Sequence, residues 1–200
     1  ENCALCSDAG MPAISDPGEV IVRDAHERGI PVCPVPAASA AVTALCVSGQ
    51  ITGRFVFEGF LPTNRRQKKD RLAQLQSEPR TMIFYEAPHK LTTTLQDFLD
   101  TFGPERSMTV CRELTKIHEE IRVTTVGQAE AFYRENPPRG EFVLVVAGAP
   151  ELPAREMTLE DAVELAKSLM AEGQSATAAA KAAAAQSPFS KSEIYKQCVQ

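Results

Sequence analysis

Four short clusters in this sequence combine carboxylates, hydroxyls and small residues. They are Ser7-Asp8-Ala9-Gly10-Met11-Pro12, Pro36-Ala37-Ala38-Ser39-Ala40, Glu86-Ala87-Pro88-His89-Lys90 and Arg112-Glu113-Leu114-Thr115-Lys116. Each follows a short apolar run. Carboxylates favour a cationic ligand group, and small residues let a ligand approach the backbone. Glu86, Glu113 and Lys116 are candidates for moving a proton by their location alone, and His89 in the third cluster reads as packing at a helix start rather than as a catalytic group. Each cluster also has a plainer reading. Asp8 can cap a turn, Glu86 can complement a helix N-terminus beside Pro88, and Lys116, Glu119 and Glu120 can form a solvated face. Four such clusters together favour a site. A fifth group is purely basic: Arg65, Arg66, Lys68, Lys69 and Arg71 surround the single acid Asp70. That run fits either phosphate contact or a solvated helix face.

Several chemistries find no support. No G-x-x-x-x-G-K-[ST] or G-x-G-x-x-G pattern occurs, so a triphosphate or dinucleotide loop is not indicated. His26, His89 and His118 lie far apart and form no metal-ligand pattern. Cys3 and Cys6 have C-x-x-C spacing but no second ligand pair for zinc. They read as reduced thiols packed as small hydrophobes, which fits a cytoplasmic chain.

The elements that must position these clusters alternate between strand and helix. Strands are expected at 3–6, 30–35, 52–57, 81–85, 107–111, 121–125 and 141–146. Asp16 as N-cap and Pro17 in first position predict a helix that stops at Gly29. A helix of small residues follows Ser39, and another begins in the basic run. Leu91, Leu95, Phe98, Leu99 and Phe102 recur with helical spacing. Residues 128–135 read as helix, and 149–156 as a linker. Beyond it, three short helices are expected, with capping-box spacing at Thr158/Asp161 and Ser190/Glu193. This alternation predicts an α/β protein with a largely parallel sheet, in which ligands bind beyond the carboxyl ends of the strands.

The chain has 200 residues, 44% of them hydrophobic and 24% charged, enough for a packed core. Its apolar runs are far too short to span a bilayer. The net charge is −5, so any nucleic-acid contact must come from a local basic patch. A buried strand at 3–6 needs neighbours on both sides, which predicts a further N-terminal segment.

SDAGMPAISDPG at 7–18, GFLP at 59–62, FYEAPHK at 84–90, RELTKIHEE at 112–120 and GEFVLVVAG at 140–148 resemble the signatures of one family. They are similar to those of the bacterial ribosomal RNA ribose 2′-O-methyltransferases, within the tetrapyrrole-methylase-like superfamily. The resemblance implies a two-domain α/β fold. Its N-terminal domain would be partial at 1–57 and its C-terminal α/β domain complete at 58–150. A linker and helical tail, helix-turn-helix-like, would occupy 151–200.

It also implies S-adenosylmethionine as cofactor in the cleft between the domains. The contacts carried over are Asp8, Ala9, Gly10, Pro12, Ile14, Ser39, Ala40, Tyr85, Glu86, Leu114 and Gly140. The implied substrate is a cytidine 2′-hydroxyl near the decoding region of small-subunit rRNA, free or in the assembled subunit. Arg65, Arg66, Lys68, Lys69 and Arg71 become RNA contacts. A cytoplasmic homodimer without metal or membrane association is implied as well.

One departure stands out. The family's second loop usually reads P-G-P-S-A, whereas this chain has Pro36-Ala37-Ala38-Ser39-Ala40. Three other readings stay open: a methylase of a small tetrapyrrole, a non-catalytic nucleic-acid-binding module, and a fragment inert by itself. Residues 1–200 alone are expected not to methylate rRNA efficiently.

Overall fold

The computed structural model of the protein describes residues 2–150 and 157–199. The chain divides into two compact units, 1–150 and 151–200. Each is described by itself.

The first unit is built on a five-stranded sheet of order β1-β2-β5-β3-β4. Its strands are β1 (Phe55–Phe60), β2 (Thr81–Glu86), β3 (Ser107–Arg112), β4 (Glu120–Thr125) and β5 (Phe142–Val146). Helices α3 (Arg65–Leu75) and α4 (Pro88–Phe102) are the crossovers from β1 to β2 and from β2 to β3. Helix α5 (Val126–Glu135) carries the chain from β4 to β5. Strands β1 and β2 pair parallel, but β2/β5, β3/β5 and β3/β4 are all antiparallel. The largely parallel sheet expected from the alternation is therefore corrected to a mixed one. The seven residues 113–119 connect β3 to β4 as a hairpin rather than a crossover, which reverses the chain direction. Strand β5, returning by α5, then enters antiparallel between β2 and β3.

Burial on both faces explains why residues 142–146 are uniformly apolar: all five are buried. On one face Phe84, Phe98, Leu91, Leu95, Met108, Leu144 and their neighbours pack under α3, α4 and α5. On the other, Ile83, Cys111, Val143 and Val145 pack against Ala41, Ala44 and Leu45 of α2 (Ala40–Val47). Thr109 is buried on that second face, and its hydroxyl donates to the Ser48 carbonyl at 2.7 Å. The apolar stripe expected on α4 faces the first core as drawn, with Leu91, Leu95, Phe98 and Phe102 buried.

The first 50 residues depart further from expectation. Segments 3–6 and 30–35 form no strand, and Leu5, Ile30, Val32 and Val35 are exposed. A strand needs a ladder partner, and among the described residues none pairs with either segment. Cys3, Cys6 and Cys33 are consequently exposed rather than packed; Cys46, on α2, is exposed as well, whereas Cys111 is buried. Helix α1 (Glu19–Glu27) begins after Gly18 instead of Asp16, because Ser15-Asp16-Pro17-Gly18 is used as a turn. Its end is as expected: Gly29 at φ 67° lets Ile30 N–H donate to Ala25 O and Gly29 N–H to His26 O.

The second unit packs α6 (Leu159–Ala171), α7 (Ala176–Ala184) and α8 (Lys191–Cys198) around Ala162, Val163, Ala166, Ala179, Ala180, Ala183 and Ile194. Alanine on the facing surfaces lets the helix backbones approach closely. Both expected capping boxes form, at Thr158/Asp161 and Ser190/Glu193. The linker expected at 149–156 lies mostly outside the described residues. Among those described, no helix is long and apolar enough to cross a membrane, and no group of three or more His, Cys, Asp and Glu could hold a metal ion.

Phe98 is fully buried, with ring centroids 4.9 Å from Phe84 and 5.2 Å from Phe102. Phe98→Ala leaves a cavity between α4 and the sheet and should cost about 3–5 kcal/mol. Phe98→Leu should cost clearly less. Urea unfolding of the three proteins checks the order; equal midpoints for Phe98→Ala and the parent would refute this packing.

Candidate functional site

The sheet register gathers residues distant in sequence. Glu86 pairs with Phe142, and Phe142 pairs with Arg112. The carboxyl ends of β2 and β3 therefore share one edge with the start of β5. Tyr85, Glu86, Glu113, Leu114, Gly140 and Glu141 all lie at that edge. Gly140 precedes its strand rather than following it, and only the antiparallel entry of β5 brings it there.

The first loop reaches the same region through two contacts. Met11 N–H donates to Ala38 O at 3.1 Å, tying residues 8–14 to the second loop. Gly10 adopts φ 72°, and a Cβ on it would stand 2.7 Å from Ala38 O, so the close approach requires glycine there. Neither Ala37 nor Ala38 has a positive φ. The alanines of the second loop thus accept an ordinary backbone, and Gly10 supplies the close fit. Ala13 and Ser15, neither a glycine, are held at φ 68° and 58°.

Among the first-loop candidates, Asp8, Ala9, Gly10 and Ile14 are exposed and Pro12 is half-buried, so the loop forms an open wall. Ser39 is the N-cap of α2, yet its side chain makes no capping bond. Ala40 begins the helix, and Ala41 N–H donates to the Tyr85 hydroxyl at 3.1 Å. That hydroxyl keeps its own hydrogen for another acceptor.

Tyr85 stands in an aromatic group with Phe57 and Phe60, at centroid distances of 5.0 and 5.6 Å. Residues three apart on a regular strand point to opposite faces. A bulge between Phe57 and Gly59 shifts the register, so Phe57 pairs with Ile83 and Phe60 with Tyr85. Both rings thereby reach one face. Gly59, at φ 59°, makes the bulge possible, and a Cβ there would lie 2.9 Å from Ser15 Oγ.

Glu113 joins the fourth cluster to Glu141, the residue after Gly140. Its Oε1 accepts from Lys116 Nζ at 2.9 Å and from Glu141 N–H at 2.9 Å. Its own N–H donates to Glu141 O at 3.0 Å. Lys116 also pairs with Glu141 at 3.0 Å. Glu113 and Thr115 are both in the left-handed region, at φ 50° and 65°, and Thr115 N–H donates to Glu119 Oε2 at 2.6 Å. The hydrogen bond from Lys116 holds the Glu113 carboxyl below the ordinary carboxylate range, and the one to Glu113 raises Lys116 above the ordinary lysine range. Leu114 turns inward, against the core that contains Tyr85.

Glu86 has a different setting. Strand alternation sends it to the face opposite Tyr85, where it is buried. Its Oε2 accepts from Thr94 Oγ1 at 2.6 Å and its Oε1 from Ala87 N–H at 2.9 Å. Thr94 in turn accepts from Lys68 Nζ at 2.9 Å, and Lys68 pairs with Asp97 at 2.6 Å. Two of the five basic candidates are thus engaged internally. Lys68 closes this network, and Arg71 makes a two-pronged pair with Glu58, at 2.8 and 2.7 Å. Arg65, Arg66 and Lys69 remain exposed on α3, whose N-terminus is capped by Asn64.

Residue types along the chain do not point to Phe57, Phe60 or Glu141 as members of the site. Glu141 is visible in the sequence only as the residue joining Gly140 to the most apolar strand. The role of Phe60 depends on a bulge that Gly59 alone signals.

The pattern of the family described as Tetrapyrrole (Corrin/Porphyrin) Methylases matches residues 1–130. A Synechocystis protein named ribosomal RNA small subunit methyltransferase I is 44% identical over 196 residues, covering 98% of this chain and 70% of its own length. A Pseudomonas aeruginosa protein of the same name is 43% identical, covering 100% of this chain and 71% of its own length. A Xylella fastidiosa protein, again of that name, is 48% identical over 160 residues, and the chain spans 59% of it. Among solved structures, the methyltransferase CobJ superposes with a TM-score of 0.52 at 18% identity, over 70% of this chain and 62% of CobJ. A cobalt precorrin-4 methyltransferase gives 0.51 at 17%, over 69% of this chain and 61% of its own. At such identities the two structures speak for the fold.

The Glu113–Lys116 pair has a definite pH signature. With the Glu113 pKa lowered, the pair is intact above the ordinary carboxylate range and is lost as pH falls through the lowered value. Lys116→Met should move the Glu113 titration upward, toward that of a free carboxyl. Carboxyl 13C NMR follows it directly, and an unmoved Glu113 curve would show that the two groups do not interact.

Proposed function

The chain belongs to the tetrapyrrole methylase family and, within it, to the ribosomal RNA small subunit methyltransferase I group, and from that premise we propose that it methylates the ribose 2′-oxygen of a cytidine near the decoding region of small-subunit rRNA. The observation that carries the site is the convergence of the first loop, the start of α2, Tyr85, Leu114 and Gly140 on one sheet edge. S-adenosylmethionine, when bound, supplies a sulfonium-activated methyl group, and no metal is called for.

The residues present fit that cofactor. Ala9, Gly10 and Ala40 leave main-chain groups within reach, and the Ser39 hydroxyl is not used as a helix cap. Asp8, exposed on the first loop, complements an ammonium or sulfonium charge. Tyr85 has one hydrogen to donate from a half-buried position. Pro12, Ile14, Leu114 and Gly140 complete the enclosure on the first-loop and β3–β5 sides.

Glu86, Glu113 and Lys116 are assigned to holding the site's shape. A general base works best with a pKa near the working pH. Glu113 is shifted below the ordinary carboxylate range and Lys116 above the ordinary lysine range, so both remain charged and paired at neutral pH. The Glu86 carboxylate is bonded on the opposite face.

RNA is held by the exposed Arg65, Arg66 and Lys69. Lys68 and Arg71 hold α3 in place beneath them through Asp97 and Glu58. The reading includes a cytoplasmic homodimer. Strand β4 leaves Ile121 and Val123 exposed, on the face that buries their register partners Cys111 and Thr109, as suits contact with a second copy.

Labelled methyl transfer to small ribosomal subunits tests the acceptor. A 2′-O-methyl group blocks alkaline cleavage, so the label should appear in an alkali-stable dinucleotide at cytidine; label on a free mononucleotide would place the methyl on a base and overturn the proposal.

For the cofactor, Asp8→Ala and Tyr85→Ala should each weaken S-adenosylmethionine binding about 2- to 150-fold by calorimetry, with unchanged circular dichroism. Unchanged affinity in both would displace the site from this edge. For RNA, Arg65→Ala, Arg66→Ala and Lys69→Ala together should weaken subunit binding. The slope of log affinity against log salt should flatten by roughly 0.7–0.9 for each phosphate that the variant no longer neutralises. Cofactor affinity should stay as in the parent. An unchanged salt slope would return these residues to a solvated helix face.

A further inference from the structure

The three-helix unit divides its charge between two sides. Residues 157–172 carry Glu160, Asp161, Glu164 and Glu172 against Lys167, whereas residues 173–199 carry Lys181, Lys191 and Lys196 against Glu193. Glu193 accepts from Ser190 N–H at 2.8 Å and Ser190 Oγ at 2.5 Å in the capping box, which keeps it charged, so three lysines stand against one acid there. The α7–α8 side is thus the cationic one.

Both sides carry an open surface depression, the acidic one lined by Glu160, Val163, Glu164, Lys167 and Gln197. On the cationic side an open groove of about 550 Å³ is lined by Thr177, Ser190, Lys191, Ser192, Tyr195 and Lys196. On α8, Lys191 and Tyr195 are four residues apart, as are Ser192 and Lys196, so the four share one flank. Ile194 points the other way, buried against α6 and α7. The lysines are exposed, and Tyr195 is 38% exposed although it is an aromatic residue. Thr177, in the first turn of α7, lies four residues before Lys181 and brings that third lysine to the same side.

We propose that this α7–α8 groove is a second RNA-contacting surface, in which Lys191 and Lys196 hold phosphates and Tyr195 stacks on an unpaired base. The inference rests on the RNA substrate proposed above and adds to it a surface separate from α3. Lysine is depleted at protein–protein interface cores, and here two lysines flank the single exposed ring. Cations flanking an exposed aromatic ring, with hydroxyls between them, are the elements of single-strand recognition.

The test uses the full chain and a single-stranded oligonucleotide of small-subunit rRNA sequence, with binding read by fluorescence anisotropy at several salt concentrations. Lys191→Ala with Lys196→Ala should lower the slope of log affinity against log salt by about 1.4, two single-strand phosphate contacts. Tyr195→Ala should weaken binding about 5- to 150-fold, and Tyr195→Phe should leave it unchanged, because the ring and not the hydroxyl does the stacking. Melting followed by circular dichroism shows that each variant keeps its helices. Parent-like affinity and slope in the α8 variants would overturn the proposal. So would equal weakening in Tyr195→Phe and Tyr195→Ala, or equal competition by a fully paired duplex. If the α8 variants bind like the parent while the Arg65/Arg66/Lys69 variant does not, this surface falls and the methyltransferase reading stands. If the oligonucleotide binds through α8 as expected but the labelled methyl is found on a base rather than on a ribose 2′-oxygen, the surface stands and the reading of the reaction falls.

Discussion

The antiparallel entry of β5 between β2 and β3 is the constraint on which the rest of the first unit depends. Strand β5 is laddered on both sides and buried on both faces, so its register cannot slide without cost. A slip by one residue would turn Val143 and Val145 from the α2 side to the α4 side and unpack both cores. Because the register is held, residues 140–141 arrive beside Glu86 and beside Glu113. The rule that ligands meet the carboxyl ends of strands then acquires an addition: the amino end of an inserted antiparallel strand shares the same edge.

Backbone strain collects where these segments meet. Among the described residues, the non-glycine positions with positive φ are Ala13, Ser15, Glu113 and Thr115. All four belong to the two loops that bound the candidate site. Such conformations cost of order 1–3 kcal/mol each and persist only where surrounding bonds impose them. The imposing bonds are present: Met11 to Ala38, Thr115 to Glu119, and Glu113 to both Lys116 and Glu141. The loops are thereby shaped before any ligand arrives. Gly10 and Gly59 do the complementary work, removing the Cβ atoms that would hold the first loop away from Ala38 and from β1.

Much of this is legible in the residues, and the failures have physical causes. Helical spacing on α4, the Gly29 stop and both capping boxes depend on local chemistry, and all form as the residues indicate. Strand direction depends on partners far away in sequence. Alternation of strand and helix suggests parallel pairing, and only the short 113–119 connection argues otherwise. Apolar runs at 3–6 and 30–35 satisfy the strand pattern, but pattern alone does not supply a ladder partner. The Asp16-Pro17 pair makes a good helix start, yet the chain needs that turn to bring the loop back toward Leu5 and Ala13, which crowd Gly18. Glu86 looks like a site carboxylate because its neighbours are site residues. Its face is set by strand parity, which places Tyr85 toward α2 and Glu86 toward Thr94.

The same accounting explains how a chain of net charge −5 can address a polyanion. Charge counted along the sequence treats every lysine and arginine alike, whereas the fold sorts them. Lys68, Arg71, Arg80, Lys116 and Arg134 each have a carboxylate partner within the first unit. A paired cation contributes little field to solvent. Arg65, Arg66 and Lys69 are left exposed on one short stretch of α3. With a screening length of about 8 Å at physiological ionic strength, a phosphate approaching that stretch responds to these three groups and to Asp70 beside them, a local excess of positive charge, and hardly to acids elsewhere on the molecule. The pairings at Lys68 and Arg71 then have a second consequence. By tying α3 to Asp97 and Glu58, they hold the exposed cations at a constant distance from the β1–β2 edge that carries Phe60 and Tyr85.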